Sequence, residues 1–324
     1  MSELVTYRRF TSQDIDTAHA LTVELKWPHR IEDWRFMSDM GNGFVAIDNG
    51  HMIGTGLFWH DGVNRASLGM VIVAPDQQGK GIGAQLMRML IEAASLQNPA
   101  PQTAAEQGLE SSVIFLHATV AGRPLYEKLG FRVVATLDQH QGTVFQPPLV
   151  SLPAGERLRP LGTSDTPRLI ELASKAAGLD RSRLLPSLLE HANGIGLDRD
   201  GELIGFALYR RFGRGFVLGP VVAPSSAIDD EGHAQTAGRP STSMEPLVRA
   251  KALISYWLAR NEGVFIRIDT PGDSGLTEWL ETLGLPRVDN VVKMALVTSG
   301  DDAFVSLPRD GRCVQFGIVS QALL

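Results

Sequence analysis

The chain repeats itself once, and nothing else in it constrains the fold as tightly. "NGFVAIDNGHMIGTGLFWH" begins at Asn42 and "NGIGLDRDGELIGFALYRR" at Asn193, 151 residues later. Each has Asn-Gly at its start, a second glycine at Gly50 or Gly201, then Ile53-Gly54 or Ile204-Gly205. Three more blocks follow suit in the same order. "LGMVIVAP" ending at Pro75 matches "LGPVVAP" ending at Pro224, and "LYEKLGF" (125–131) matches "WLETLGL" (279–285). Upstream, "YRRFTSQDIDTAHAL" matches "LRPLGTSDTPRLIEL". Similar turns can arise separately in unrelated α/β segments, but four blocks in one order make duplication the economical account. With 324 residues, each copy is long enough to bury its own core.

The join is expected in "FQPPLVSLPAGE" (145–156), where prolines and a glycine break regular structure, giving domains at 1–148 and 156–324. Two segments, 96–112 and 224–243, read as mobile insertions, being poor in large apolar residues and rich in Pro, Gly, Ser and Gln. Within the first copy, residues 11–25 show helical spacing, with Thr11 or Ser12 as N-cap, and a second helix is expected over 31–40. Two strands then flank an Asn-Gly turn, and "ASLGMVIVAP" makes a further strand. A glycine loop leads to a helix ending near Ser95. "SVIFLHAT" is a strand, "AGRPLYEKLG" a short helix stopped by Gly130, and "FRVVATL" and "TVFQPP" two closing strands. The fold class is therefore α/β (α+β): two tandem units, each a mixed, mostly antiparallel sheet with helices on both faces.

A net charge of −6 argues against a nucleic-acid partner. Cys313, the one cysteine, excludes an internal disulfide and reads as a buried thiol rather than a nucleophile. The start lacks the apolar stretch of a signal peptide, and no apolar run reaches the ~20 residues that span a bilayer. The expectation is a soluble, cytoplasmic protein without a membrane partner.

The chemistry is concentrated in "VIVAPDQQGKGIGAQLM" (71–87). Strand, glycine turn and helix together make an anion site, because first-turn amides point outward and the helix dipole is positive there. Side chains at the glycines would hold a phosphate away, and Lys80 could add a charge. The mononucleotide pattern GxxxxGK[ST] and the dinucleotide pattern GxGxxG both fail here. Gln-x-x-Gly-x-Gly fits, at Gln78, Gly81 and Gly83 after Val73-x-Pro75. With "LYEKLGF" downstream, the chain resembles the GNAT superfamily of N-acetyltransferases over 68–131, and by element order over 5–148. Tandem bacterial proteins with one intact and one divergent GNAT half are what the whole chain resembles.

The resemblance implies acetyl transfer from the cosubstrate acetyl-coenzyme A to a primary amine, directly in a ternary complex and without a metal. It implies that Val71, Ile72 and Val73 bind the pantetheine arm and thioester oxygen, and that Gly79, Lys80, Gly81, Ile82, Gly83 and Ala84 hold the pyrophosphate with Gln78. Tyr126 matches the family's tyrosine, a general acid beside the coenzyme sulfur; the other reading is a helix tyrosine packed on the sheet. Thr119 stands where the family often has asparagine and can still bond the pantetheine through its hydroxyl.

A primary amine of pKa near 10 is only about one part in 10³ neutral at pH 7, so a base or ordered water must take its proton. Candidates are Glu24, Glu32, Asp33, His29, His60 and His117, with a structural reading standing beside the catalytic one for His117 and His60. "ELKWPHRIEDWRF" (24–36) gathers Trp27, His29, Arg30, Trp34 and Arg35, either as an acceptor-binding surface or as core closure. The second copy runs Ser225-Ser226-Ala227-Ile228-Asp229-Asp230 where the loop should be and has Leu280 in place of Tyr126, so it is expected to lack the cofactor. The acceptor is a small molecule or peptide amine, and a homodimer is compatible with the sequence. Two alternatives stay open: a non-catalytic coenzyme A-binding sensor or regulator, and an enzyme using a longer acyl donor.

Overall fold

The computed structural model describes residues 5–96, 112–224, 247–299 and 313–324. The two segments expected to be mobile fall almost wholly outside these. The first half runs β1 (Thr6–Arg9), α1 (Ile15–Glu24), α2 (Ile31–Met40), β2 (Asn42–Asp48), β3 (His51–His60), β4 (Arg65–Val73), α3 (Ile82–Leu96), β5 (Ser112–Ala118), α4 (Arg123–Lys128) and β6 (Arg132–Thr143). The second repeats that order: β7 (Glu156–Pro160), α5 (Thr166–Ala177), α6 (Leu184–Leu189), β8 (Ala192–Arg199), β9 (Glu202–Phe212), β10 (Gly215–Ala223), α7 (Val248–Ala259), β11 (Phe265–Pro271), α8 (Thr277–Thr282) and β12 (Arg287–Ser299). One strand, β13 (Val314–Gly317), follows and has no counterpart among the described residues of the first half.

Duplication is visible in detail. Arg8 grips Asp14 through two hydrogen bonds of 2.7 Å, and Arg159 grips Asp165 through two of 2.8 Å, 151 residues on. Each carboxylate also takes a backbone N–H three residues earlier, from Thr11 or Gly162, at 2.8 Å. The acceptor that caps the first turn is thus Asp14, with the Thr11 hydroxyl donating to it.

The sheet is continuous, in the order β1-β2-β3-β4-β5-β12-β6-β11-β10-β9-β8-β7. Only β4–β5 and β10–β11 pair in parallel. The expectation of two closing strands per copy is corrected here. Residues 132–143 form one long strand, since no turn residue interrupts 132–141, and 144–153 carry no strand. The missing partner comes from the other half: β12 enters between β5 and β6, and β6 between β12 and β11. Each half therefore lends its last strand to the other.

Helix α3 buries Leu86, Met87 and Leu90 completely against β3 and β4, while α7 buries Leu253, Ile254 and Leu258 behind β9 and β10. Between the halves, Trp34 and Met37 of α2 share one apolar cluster with Leu185 of α6 and Phe206 of β9. Cys313 is buried, its thiol donating to the Leu172 carbonyl at 3.1 Å. No helix of the described residues is long and apolar enough to cross a membrane.

Candidate active site

β4 and β5 run together from Arg65↔Val113 to Leu68↔Leu116 and then part. A register shift opposite Thr55 and Leu57, with Met70 at φ +53°, bends β4 at that point. From Gly69 to Val73 β4 has no rung with β5, which leaves a fork, or cleft, between the two strands. Val71 looks onto the apolar cluster that holds Tyr126, while Ile72 is buried on the α1–α2 side.

The glycine loop closes one end of this cleft. Gly79 has φ +77° and Gly81 φ +84°, and a Cβ at either would meet nothing within 4 Å. The need for glycine is thus conformational, in the left-handed region, and the space above the loop is clear. Gly83 has no such φ; its Cβ would make ordinary contacts with Leu125 and Val73 at 3.5 and 3.6 Å. The first α3 bond runs from Gln85 N–H to the Gly81 carbonyl at 3.0 Å. The amides of Ile82, Gly83 and Ala84 consequently have no acceptor within the helix and point out of its end. Gln78 is turned inward, its amide donating to the Val73 carbonyl at 3.0 Å, which ties the loop to the end of β4. Lys80 is exposed and donates to the Gln77 side chain at 2.9 Å.

Across the cleft, α4 carries Tyr126, which is 8% exposed and lies edge-on to Phe131 at 6.1 Å. Gly122 makes room for that ring, since a Cβ there would stand 3.0 Å from Tyr126 Cε2. Burial pushes the phenol up to about 12, so it keeps its proton at neutral pH. Thr119 is exposed just beyond β5; its Oγ1 accepts from Gly122 N–H at 3.2 Å, which leaves its own hydroxyl hydrogen free to donate. The structure thus brings β4, the loop, Thr119 and Tyr126 to one cleft.

The candidate bases are scattered. Asp33 is buried and engaged by the Arg30 backbone and guanidinium and by Gly213 N–H. His117 is half-buried, bonded through Nδ1 to the Gln321 carbonyl at 2.9 Å, and desolvation pulls it down to about 3. His29 is pulled down to about 4, again mainly by burial. Both stay neutral and are weak bases. His60 packs edge-on to Phe58, and Glu24 and Glu32 lie exposed on α1 and α2. Of the two tryptophans, Trp34 is core: it is fully buried and stacks on Phe10 at 6.0 Å.

The second half has the same parting of strands and a different content. β10 pairs with β11 only at Phe216 and Val217. β13 then joins β10 at Val221, Val222 and Ala223, and the Ile318 N–H donates to the Asp269 carbonyl of β11 at 2.9 Å. The chain's own segment 314–318 therefore sits between the parted strands of the second half, where no described strand enters between β4 and β5 of the first. Gly219 permits this approach, since a Cβ there would fall 2.0 Å from the Ile318 oxygen. Leu280 takes the place of Tyr126, fully buried, and the turn after it keeps its form: Leu285 N–H bonds the Leu280 carbonyl as Phe131 N–H bonds that of Tyr126. Residues 225–230, the expected acidic replacement of the loop, lie outside the described residues. No sequence signal announced β13 as the occupant.

A splayed parallel strand pair within one element order occurs in both halves, an acetyltransferase-type α/β layout present twice, while the glycine loop and the tyrosine are described in the first half alone. Family models described as acetyltransferase (GNAT) domain match residues 39–133 and again residues 169–231. Each half thus carries a match to a GNAT acetyltransferase domain, in tandem. The chain is 32% identical over 164 residues to the uncharacterized N-acetyltransferase YitH of Bacillus subtilis, a match covering 50% of this chain and 52% of that protein. The chain thus spans about half the length of that curated relative. In fold it is similar to a putative acetyltransferase from Pyrococcus horikoshii (TM-score 0.70, 19% identity, 99% of this chain and 96% of the other). It is also similar to a tandem GNAT protein from the clavulanic acid biosynthesis pathway (TM-score 0.57, 13% identity, 92% and 100%).

Proposed function

We propose that the chain is an acetyl-coenzyme A-dependent N-acetyltransferase with one active site, in its first half. The observation that carries this reading is the parting of β4 from β5 after Leu68, with the first-turn amides of α3 and the protonated phenol of Tyr126 on the elements that follow. In this reading the amides of Gly79–Ala84 bind the pyrophosphate, helped by the α3 dipole and by Lys80. Gln78 acts by bracing the loop on Val73. The exposed edge of Val71–Val73 and the Thr119 hydroxyl hold the pantetheine arm and set a backbone N–H against the thioester oxygen.

A neutral amine then attacks the thioester carbon. The C–N bond forms, negative charge gathers on the oxygen, and the C–S bond breaks with the electron pair leaving on sulfur. Tyr126 donates its hydrogen bond or proton to that sulfur. The amine's own proton passes to solvent or to a base brought with the acceptor, a small-molecule or peptide amine. We place no cofactor in the second half, where β13 lies in the equivalent cleft. The test is incubation with acetyl-coenzyme A and an amine panel, with thiol release followed. Thiol release that depends on amine is expected. Thermal stabilisation by acetyl-coenzyme A with no thiol release across the panel would favour a coenzyme A sensor instead.

A further inference from the structure

A cavity of about 590 Å³ opens between α2 of the first half and α6 and β9 of the second. Phe36, Met40 and Leu188 give it an apolar lining, and five arginines face four carboxylates around it. Of these, Arg30 is committed to Asp33 at 3.0 Å and Glu32 at 3.9 Å. Arg35, Arg183, Arg210 and Arg211 also line the cavity, against Asp39 and Glu190. Among the described residues none of those four has a carboxylate partner within 4 Å.

Arg210 stands apart, being only 6% exposed. One Nη donates to the Val319 carbonyl at 3.1 Å and the other to the Arg211 carbonyl at 3.4 Å, while the buried Nε has no partner. The Phe36 and Phe212 rings lie 5.9 and 5.1 Å from its guanidinium carbon. Burial draws this guanidinium down to about 10, and the Asp33 carboxylate, more than 4 Å away in the same lining, opposes that shift only in part. The fold itself does not ask for the charge. The equivalent residue of the first half, 151 positions earlier, is Trp59, buried and satisfied by one bond to the Met37 carbonyl at 2.9 Å.

We propose that this cavity binds a small organic anion, a carboxylate or a phosphate monoester, with Arg210 as buried anchor and the exposed Arg183 and Arg211 closing on it from the mouth. Each Nη of Arg210 carries a second N–H beyond the one given to a carbonyl, and such a fork suits a carboxylate or phosphate oxygen. The inference stands on the cavity alone and does not depend on acetyl transfer.

The test is calorimetric titration of the full chain with succinate and with inorganic phosphate, which separates carboxylate from phosphate recognition. Gly81→Glu is run in parallel because phosphate could also enter the glycine loop. At least one anion should bind. Arg210→Met should weaken it about ten- to a hundredfold, as expected for a lost charge-assisted bond. Arg183→Ala should weaken it less, and Gly81→Glu should leave it unchanged. In the absence of anion, a thermal melt of Arg210→Met is run first, to show that the variant is folded. If Arg210→Met does not fold, Arg183→Ala decides. No binding of either anion, binding indifferent to Arg183 and Arg210, or binding lost in Gly81→Glu would each overturn the proposal.

Discussion

The two halves share an ancestor's layout and differ in what lies between two strands. In the first, β4 leaves β5 after Leu68 and no described strand pairs with Val71–Val73 on that side. In the second, β10 leaves β11 after Val217, and β13 takes the rungs at Val221–Ala223. Open backbone edges are sticky, because unpaired N–H and C=O groups seek partners. Among the described residues one half leaves this edge unpaired, and we propose that it serves a ligand; the other satisfies it internally. A fold can thus outlive its site when a strand of the same chain fills the vacancy, and Leu280 in place of Tyr126 fits that history.

The sharpest way to break the comparison is at the loop. Gly81→Glu puts a carboxylate and a Cβ at φ +84° among amides proposed to hold a diphosphate. Coenzyme A affinity should fall about a hundredfold or more in a calorimetric titration, from charge repulsion and lost amide geometry together. Next comes Tyr126→Phe, which should lower turnover by about 10²-fold or more while sparing coenzyme affinity. Unchanged turnover would remove Tyr126 from the chemistry.

The second half answers differently. Gly219→Val must push Ile318 away and loosen β13, so stability should drop by about 1–3 kcal/mol in a urea melt. Coenzyme affinity should not move. A fall in affinity there would mean that the filled cleft takes part in binding after all.

The smallest effect is a pH dependence. His117 and His29 sit at about 3 and 4, below the ordinary 6.5. As pH falls through 6.5 the unfolded chain takes up protons that the folded chain refuses until about 4 and 3. Stability should therefore decline from pH 6.5 downward, by at most about 1.4 kcal/mol per pH unit for each histidine. His117→Gln should flatten part of that slope, read from denaturant melts at pH 7, 5.5 and 4.5.

Much of this was legible in the residues. Exact spacing at Ile53-Gly54 and Ile204-Gly205 gave the duplication, and the glycine pattern at 78–83 located the loop. Local signals succeed where turns and caps are set by neighbours in sequence. Strand exchange was not legible, because β6 and β12 carry no mark of which neighbour they will choose. β13 was missed for the same reason: "VQFG" is ordinary strand sequence, and only the long-range rungs to Val221–Ala223 give it meaning. Arg210 was passed over because a sequence cannot show that a charge on a strand will be buried without a carboxylate.

The account's central claim is that an open strand edge, present once, makes one cofactor site. Calorimetric titration of the full chain with coenzyme A, repeated on Gly81→Glu and Gly219→Val, tests it directly. One equivalent bound per chain, lost with Gly81→Glu and kept with Gly219→Val, is the expected result. Two equivalents, or one that survives Gly81→Glu, would contradict it.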